Sequence, residues 1–238
     1  MPPQPQLSLC VPLCSEKELI QEFHENLSHF FQRIPLVYEV LFAVNPGQSE
    51  SLFLLQKLIE KNPQYRILEN KKNFKNKFSR AQNIQMLCAN ARGSILIPID
   101  LDLVVPLSEI FKILEAFFSD TELEVVFGNR FKAKKNIENQ NLEQDRLEKF
   151  FMEILKEKTP WKFADPFCPM LGLRRTSFEK IEKELKSSGW HWNHEVQRLV
   201  QSKGLKSQEI PLYVGVRGRL KIPKSEIFHL LNFVLFRI

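Results

Sequence analysis

A chain of 238 residues suits one compact domain, and 43% hydrophobic content with 20 phenylalanines supplies a core, which excludes wholesale disorder. The net charge of +6 points to an anionic partner: nucleic acid, an anionic membrane surface or a phosphorylated substrate. No recognised nucleic-acid motif accompanies that charge. No stretch approaches the length of a membrane span, and Met1-Pro2-Pro3-Gln4-Pro5 lacks the basic and apolar regions of a signal peptide, so a cytoplasmic protein is expected.

Leu7–Leu13 reads as a first strand, and Ser15-Glu16 opens a helix running to about Arg33. Leu36–Val44 is a second strand, and Asn45-Pro46-Gly47 turns the chain into a helix near Ser49–Glu60. Tyr65–Leu68 is a short third strand. After the basic segment Lys71–Lys77, Ser79 caps a helix through Ala91 that Gly93 closes. Ser94–Ile99 is the fourth strand, Pro106 opens a helix to about Phe118, and Glu124–Gly128 is the fifth strand. Strands alternating with helices of this length predict an α/β domain with a mostly parallel sheet flanked by helices.

Beyond Arg130 the rhythm breaks. Asn136–Lys158 is polar, charged and helical in pattern, as in an insertion or flap. Asp165–Arg174 returns through a short strand, followed by helices near Ser177–Ser187 and Asn193–Lys203 and a last strand at Ser207–Leu212. Ile222–Ile238 is an apolar tail whose helix would pack on the core or lie in a membrane interface. Cys10, Cys14, Cys88 and Cys168 are too scattered for a metal framework and read as reduced thiols.

The pair Asp100-Leu101-Asp102 ends the apolar run Ser94–Ile99, where a buried strand meets solvent. Two carboxylates gathered there repel each other unless a cation or ligand offsets them. In open α/β sheets ligands bind beyond the carboxyl ends of the strands, so the pair is a candidate seat for a divalent metal and a phosphorylated ligand. A solvated turn capping the next helix is the plainer alternative. Arg130 offers a planar fork for a phosphate, or else a surface salt bridge. Glu195, behind Trp190-His191-Trp192-Asn193-His194, is placed to orient or deprotonate an acceptor hydroxyl. His191 and His194 lack a third partner and read as structural or exposed rather than as zinc ligands.

The order of these features resembles family-2 glycosyltransferases with the GT-A (nucleotide-diphospho-sugar transferase) fold, among them the dolichyl- and polyprenyl-phosphate sugar transferases. Leu9-Cys10-Val11-Pro12-Leu13-Cys14-Ser15-Glu16 resembles the strand ending in Pro-x-x-Asn-Glu, which implies that Pro12 and Glu16 help seat the nucleotide. Asn45-Pro46 stands where the family has two aspartates, one contacting base or ribose. Asn73–Asn83 falls beside the diphosphate, with Lys75, Lys77 and Arg80 in place of glycines. Asp100-Leu101-Asp102 is similar to the metal-binding Asp-x-Asp, with Asp100 facing ribose and metal and Asp102 on the metal. Gly128-Asn129-Arg130 resembles the Gly-Ser-Arg after the fifth strand, and Asp165 to Arg174 resembles the acceptor-side region. Arg217-Gly218-Arg219-Leu220-Lys221 resembles Arg-x-x-Gly-x-Ser-Lys, so Arg174, Arg217 and Lys221 would reach substrate phosphates.

The resemblance implies one domain, with a nucleotide-sugar half over 7–130, an acceptor half over 131–221 and the apolar helix 222–238. It implies an inverting transfer from a GDP- or UDP-sugar, with Mg²⁺ or Mn²⁺, to a polyprenyl phosphate, with peripheral contact on the inner face of a membrane and no nucleic acid. Two alternatives stay open: a glycan or hydroxyl acceptor in cell-envelope synthesis, with Glu195 as base, and a degenerate GT-A module that binds without turnover.

Overall fold

The computed structural model describes residues 4–13, 17–70, 80–133, 150, 153–154, 157, 161–166, 168–186 and 192–215. Its strands are β1 (Leu7–Pro12), β2 (Tyr38–Val44), β3 (Tyr65–Glu69), β4 (Ile95–Pro98), β5 (Val125–Asn129), β6 (Leu171–Arg174) and β7 (Ser207–Pro211). They form one sheet in the order β3-β2-β1-β4-β6-β5-β7. Every neighbouring pair is parallel except those of β6, which runs antiparallel to both β4 and β5.

The helices are α1 (Leu19–Phe31), α2 (Ser49–Lys61), α3 (Arg80–Asn90), α4 (Ile110–Ser119), α5 (Arg175–Ile181) and α6 (Trp192–Ser202). Side-chain alternation along the strands divides the core between the two faces of the sheet. Leu7, Leu9, Val11, Ile95 and Ile97 pack with Phe23 and Leu27 of α1 and with Ile113 and Phe117 of α4. Cys10, Leu41, Leu96 and Val125 pack with Ile84 and Leu87 of α3 and with Trp192 and Val196 of α6. Helices on both faces account for strands that read as continuous apolar runs rather than as alternating ones.

Predicted and observed elements agree in kind and order, and the differences lie at the ends. The helix expected from Pro106 starts as a tight 3-10 turn, Leu107–Glu109, and becomes α4 at Ile110. The first helix starts at Leu19 rather than Ser15. Most of 136–158 and all of 222–238 lie outside the described residues. Gly93, expected to close α3, sits where β1 passes: a Cβ there would lie 2.6 Å from Ser8 Oγ and 2.7 Å from the Ser8 nitrogen.

Candidate active site

The chain proceeds from β1 outward through β2 and β3, then returns to place β4 on the other side of β1. The carboxyl ends of β1 and β4 therefore bracket the topological switch point, where open α/β sheets bind ligands. Pro12 ends β1 there, and the backbone beyond β4 continues straight into Asp100. Pairing persists to the crevice itself, since Ile99 N–H donates to the Cys10 carbonyl at 3.0 Å and Leu13 N–H to that of Ala43 at 3.0 Å.

Asp100 is gripped by Arg80, the first residue of α3. Arg80 Nε donates to Oδ1 at 2.8 Å and Nη2 to Oδ2 at 2.7 Å. The guanidinium is nearly sealed, with Arg80 4% exposed, whereas the Asp100 side chain keeps 22% of its surface open. Asp102 is exposed, and its Oδ1 accepts from Val104 N–H at 3.3 Å. The turn that presents it closes through Leu103 N–H on the Asp100 carbonyl at 3.2 Å and holds Leu103 at φ +48°. A left-handed leucine costs roughly 1–2 kcal/mol, so the surrounding packing imposes this turn rather than the local sequence. Asp102 also borders an open groove of about 630 Å³ between α1 and the segment 101–111, walled by Phe23, Phe30, Pro106 and Phe111.

On the β2 and β3 side of the crevice stands a ladder of amides. Asn45 Nδ2 donates to the Leu13 carbonyl at 3.2 Å, Asn83 Nδ2 to Asn45 Oδ1 at 3.2 Å, and Asn70 Nδ2 to Asn83 Oδ1 at 2.8 Å. This neutral chain ties the ends of β1, β2 and β3 to α3. Asn83 and Asn70 escape sequence reasoning, because an asparagine inside a helix and one after a strand carry no local signal.

A second polar cluster lies beyond β5. Arg130 grips Asp165 with its backbone N–H (2.7 Å), Nε (2.9 Å) and Nη2 (2.7 Å). Asp165 is wholly buried, and its own N–H and that of Ala164 donate to Glu209 Oε1. Gln197 on α6 donates to the Asp165 carbonyl at 3.4 Å, and Asn193 to that of Cys168 at 2.6 Å. Asp165 and Arg130, each expected to meet donor or phosphate, thus serve first as each other's counter-ions. Gly128 is required beside them: a Cβ would come 2.4 Å from both Cys168 Sγ and Leu212 Cδ1. Burial, reinforced by the charge of Asp165, pushes the Cys168 thiol up, so it remains protonated and is no nucleophile.

Two expected site residues are placed elsewhere. Arg174 pairs in register with Ile95, the first residue of β4, because β6 runs antiparallel. That puts it at the amino edge of the sheet, opposite Asp100, where Nε donates to the Leu123 carbonyl at 2.7 Å and Nη2 to that of Phe117 at 3.1 Å. Glu195 is buried on α6, and both its oxygens accept from Lys186 N–H, at 2.9 and 3.0 Å. These bonds hold the carboxylate against the segment that precedes α6. Glu16, Lys77, Arg217 and Lys221 lie outside the described residues.

Among the described residues no three His, Cys, Asp or Glu side chains gather to hold a metal ion by themselves. The donors at hand still suit Mg²⁺ or Mn²⁺, which take oxygen ligands and are commonly held by one or two carboxylates plus substrate phosphates. Asp102 provides such an oxygen at the crevice.

The sequence model of glycosyl transferase family 2 matches residues 8–182, well over half of the chain. This chain belongs to glycosyl transferase family 2. No curated protein matches it by sequence. Among solved structures it is similar to a mannosyltransferase from Pyrobaculum calidifontis in complex with GDP-Man and Mn²⁺ (TM-score 0.59, 16% identity), with 88% of this chain covered. The chain spans 56% of that protein's length. It is also similar to glucosyl-3-phosphoglycerate synthase from Mycobacterium tuberculosis in complex with UDP (TM-score 0.65, 12% identity), covering 98% of this chain and 80% of that one. At these identities the likeness concerns the fold, which is GT-A, a mixed sheet between helical layers. No described helix is long and apolar enough to cross a membrane.

Proposed function

We propose that this family-2 chain transfers a sugar from a nucleotide-sugar donor, a GDP- or UDP-sugar, to an anionic acceptor of the polyprenyl-phosphate class, with inversion at the anomeric carbon. The observation that carries the reading is the position of Asp100 and Asp102 beyond β4, at the switch point between β1 and β4 of a family-2 fold. The donor diphosphate would lie between Asp102 and Arg80, with Asn45 and Pro12 toward the nucleoside. A divalent cation held by Asp102 and the substrate phosphates would offset the charge that builds on the departing diphosphate.

An acceptor phosphate oxygen attacks the anomeric carbon with its own electron pair, and the bond to the diphosphate breaks with that pair leaving on the nucleoside diphosphate. Such an acceptor is already ionised and needs no general base. This agrees with Glu195 being spent on Lys186 and disfavours the hydroxyl-acceptor alternative. The net charge of +6 supports an anionic acceptor. One observation favours binding without turnover: Asn45, which stands where the resembled enzymes carry an aspartate, is tied into the neutral Asn45–Asn83–Asn70 ladder.

The test is transfer from radiolabelled GDP-mannose and UDP-glucose, with Mn²⁺, to polyprenyl phosphate, its dephosphorylated alcohol and a short glycan. Labelled product with polyprenyl phosphate alone supports the reading. Product only with the alcohol or glycan overturns the acceptor class, and tight nucleotide binding with no product on any acceptor leaves the non-catalytic module.

A further inference from the structure

The open groove of about 630 Å³ beside Asp102 is floored by apolar side chains, and a contiguous apolar hollow on a surface marks a docking site. One wall is α1, which turns Leu19, Phe23 and Phe30 toward it at helical spacing; the other is 101–111, which contributes Leu101, Leu107 and Phe111. The rings of Phe30 and Phe111 meet with centroids 5.1 Å apart, and Phe111 is still 41% exposed. The 13 residues of α1 give the groove a wall about 20 Å long.

The last described residues lie against the second wall. Tyr213 N–H donates to Glu109 Oε2 at 2.9 Å, and Gly215 N–H donates to the Val104 carbonyl at 2.8 Å. Val214 and Leu103 pack against the same core cluster. Further along the sequence, Ile227, Leu230, Leu231, Val234, Leu235 and Ile238 recur at i, i+3, i+4, i+7, i+8 and i+11, the spacing of one helix face. Twelve residues in that form measure about 18 Å, which suits the length of α1. The eleven residues 216–226 link them to Gly215, and at up to about 3.3 Å per residue the whole groove is within reach. A tether of this kind raises the effective concentration to the order of millimolar, which favours the chain's own segment over a separate partner.

We infer that the apolar face of 227–238 lies along α1 in this groove, as an amphipathic helix laid into a hydrophobic groove of its own chain. The groove wall also carries Asp102 and the left-handed turn at Leu103, so the docked segment supports the turn that presents this carboxylate. The bearing of that support on the donor rests on the nucleotide-sugar function proposed for the site.

The experiment uses the full chain. Phe111 is replaced by the photo-reactive analogue p-benzoylphenylalanine, which keeps an aromatic ring at an exposed position, and the irradiated protein is mapped by mass spectrometry. Cross-links from position 111 into 227–238 of the same molecule are expected. Leu231→Asp should abolish them and speed trypsin cleavage after Lys221 and Lys224 about tenfold, as when a local docking equilibrium is lost. Phe111→Asp should speed the same cleavages, and the double variant should do no more than either alone, because both act on one contact. Cross-links between two copies give the groove to a second chain and overturn the inference. Sedimentation with phosphatidylglycerol vesicles that Leu231→Asp abolishes, with no cross-link in solution, gives the stripe to a membrane surface and also overturns it. Unchanged trypsin rates in both single variants do the same. GDP and UDP binding in the presence of Mn²⁺ should weaken in Leu231→Asp, and unchanged binding overturns the support of the Asp102 turn. Cross-links in a wild-type background that binds neither nucleotide leave the docking standing and overturn the function.

Discussion

Glu39 and Asp100 are carboxylates of the same sheet, each held by an arginine, one at its amino edge and one at its carboxyl edge. Glu39 is 3% exposed and accepts from Ser8 Oγ at 2.8 Å, Arg66 Nη1 at 2.8 Å and the backbone N–H of Arg92. Among the described residues, the Asp100 carboxylate meets the single side chain of Arg80 and keeps an open flank. The first arrangement joins β1, β2, β3 and the approach to β4, and part of it is backbone that cannot turn away. The second is the fork of one arginine on a carboxylate whose other flank stays open. The difference separates a carboxylate that holds the fold from one available to chemistry, although both look like buried ion pairs.

The largest effect that tests this contrast is on stability. Glu39→Ala strips three donors of their acceptor at the amino edge, and chemical denaturation should show a loss of about 3 kcal/mol, with nucleotide binding preserved in the folded fraction. Loss of nucleotide binding at full folding would mean that the two edges are not separable. Next comes Asp102→Asn, expected to lower sugar transfer roughly 10²-fold with circular dichroism and melting unchanged, as for removal of a group that meets charge developing in the transition state. Transfer at the wild-type rate would remove Asp102 from the site.

Arg174→Gln should cost about 1–2 kcal/mol through two lost bonds to carbonyls. Its transfer kinetics should be unchanged, and a raised KM for donor or acceptor would contradict its place at the amino edge. The smallest effect is in pH. Burial by itself would raise the Glu39 carboxyl, but the donors from Arg92, Arg66 and Ser8 outweigh it and hold the carboxyl below its ordinary range. A depressed folded value means that stability is present above the unfolded value of about 4.3 and is lost as pH falls through the folded one. Thermal melts of wild type and Glu39→Gln should therefore differ at neutral pH and converge in acid. A constant difference down to pH 3 would contradict that assignment.

Much of the fold is legible because its signals are local. Apolar runs such as Ser94–Ile99, the turn Asn45-Pro46-Gly47 and the spacing of Ile20, Phe23, Leu27 and Phe30 on α1 fix strands and helices within a few residues. Asp100 and Asp102 are legible for the same reason, since they stand where a buried strand ends. Arg130 and Asp165 each stand out as functional candidates, yet 35 residues separate the partners and nothing near either announces the other. Arg174 departs from expectation because a strand pattern carries no direction: Leu171–Arg174 reads alike whether parallel or antiparallel, and the direction decides which edge its last residue reaches. Glu195 departs because its helix shows a carboxylate but not the backbone N–H of Lys186 that it meets.

The sequence by itself determined the alternation of strands and helices, the two apolar faces of the sheet and the aspartates at the end of β4. Each of these follows from side-chain period and local backbone preference, which act over a few residues. Tertiary structure alone decided that Arg80 closes on Asp100, that Asn45, Asn83 and Asn70 form a neutral ladder, and that Arg174 faces away from the site. Those outcomes depend on strand order and direction, which bring groups 13 to 57 positions apart within 3.2 Å. At that range ion-pair and hydrogen-bond geometry, not sequence neighbourhood, selects the partner.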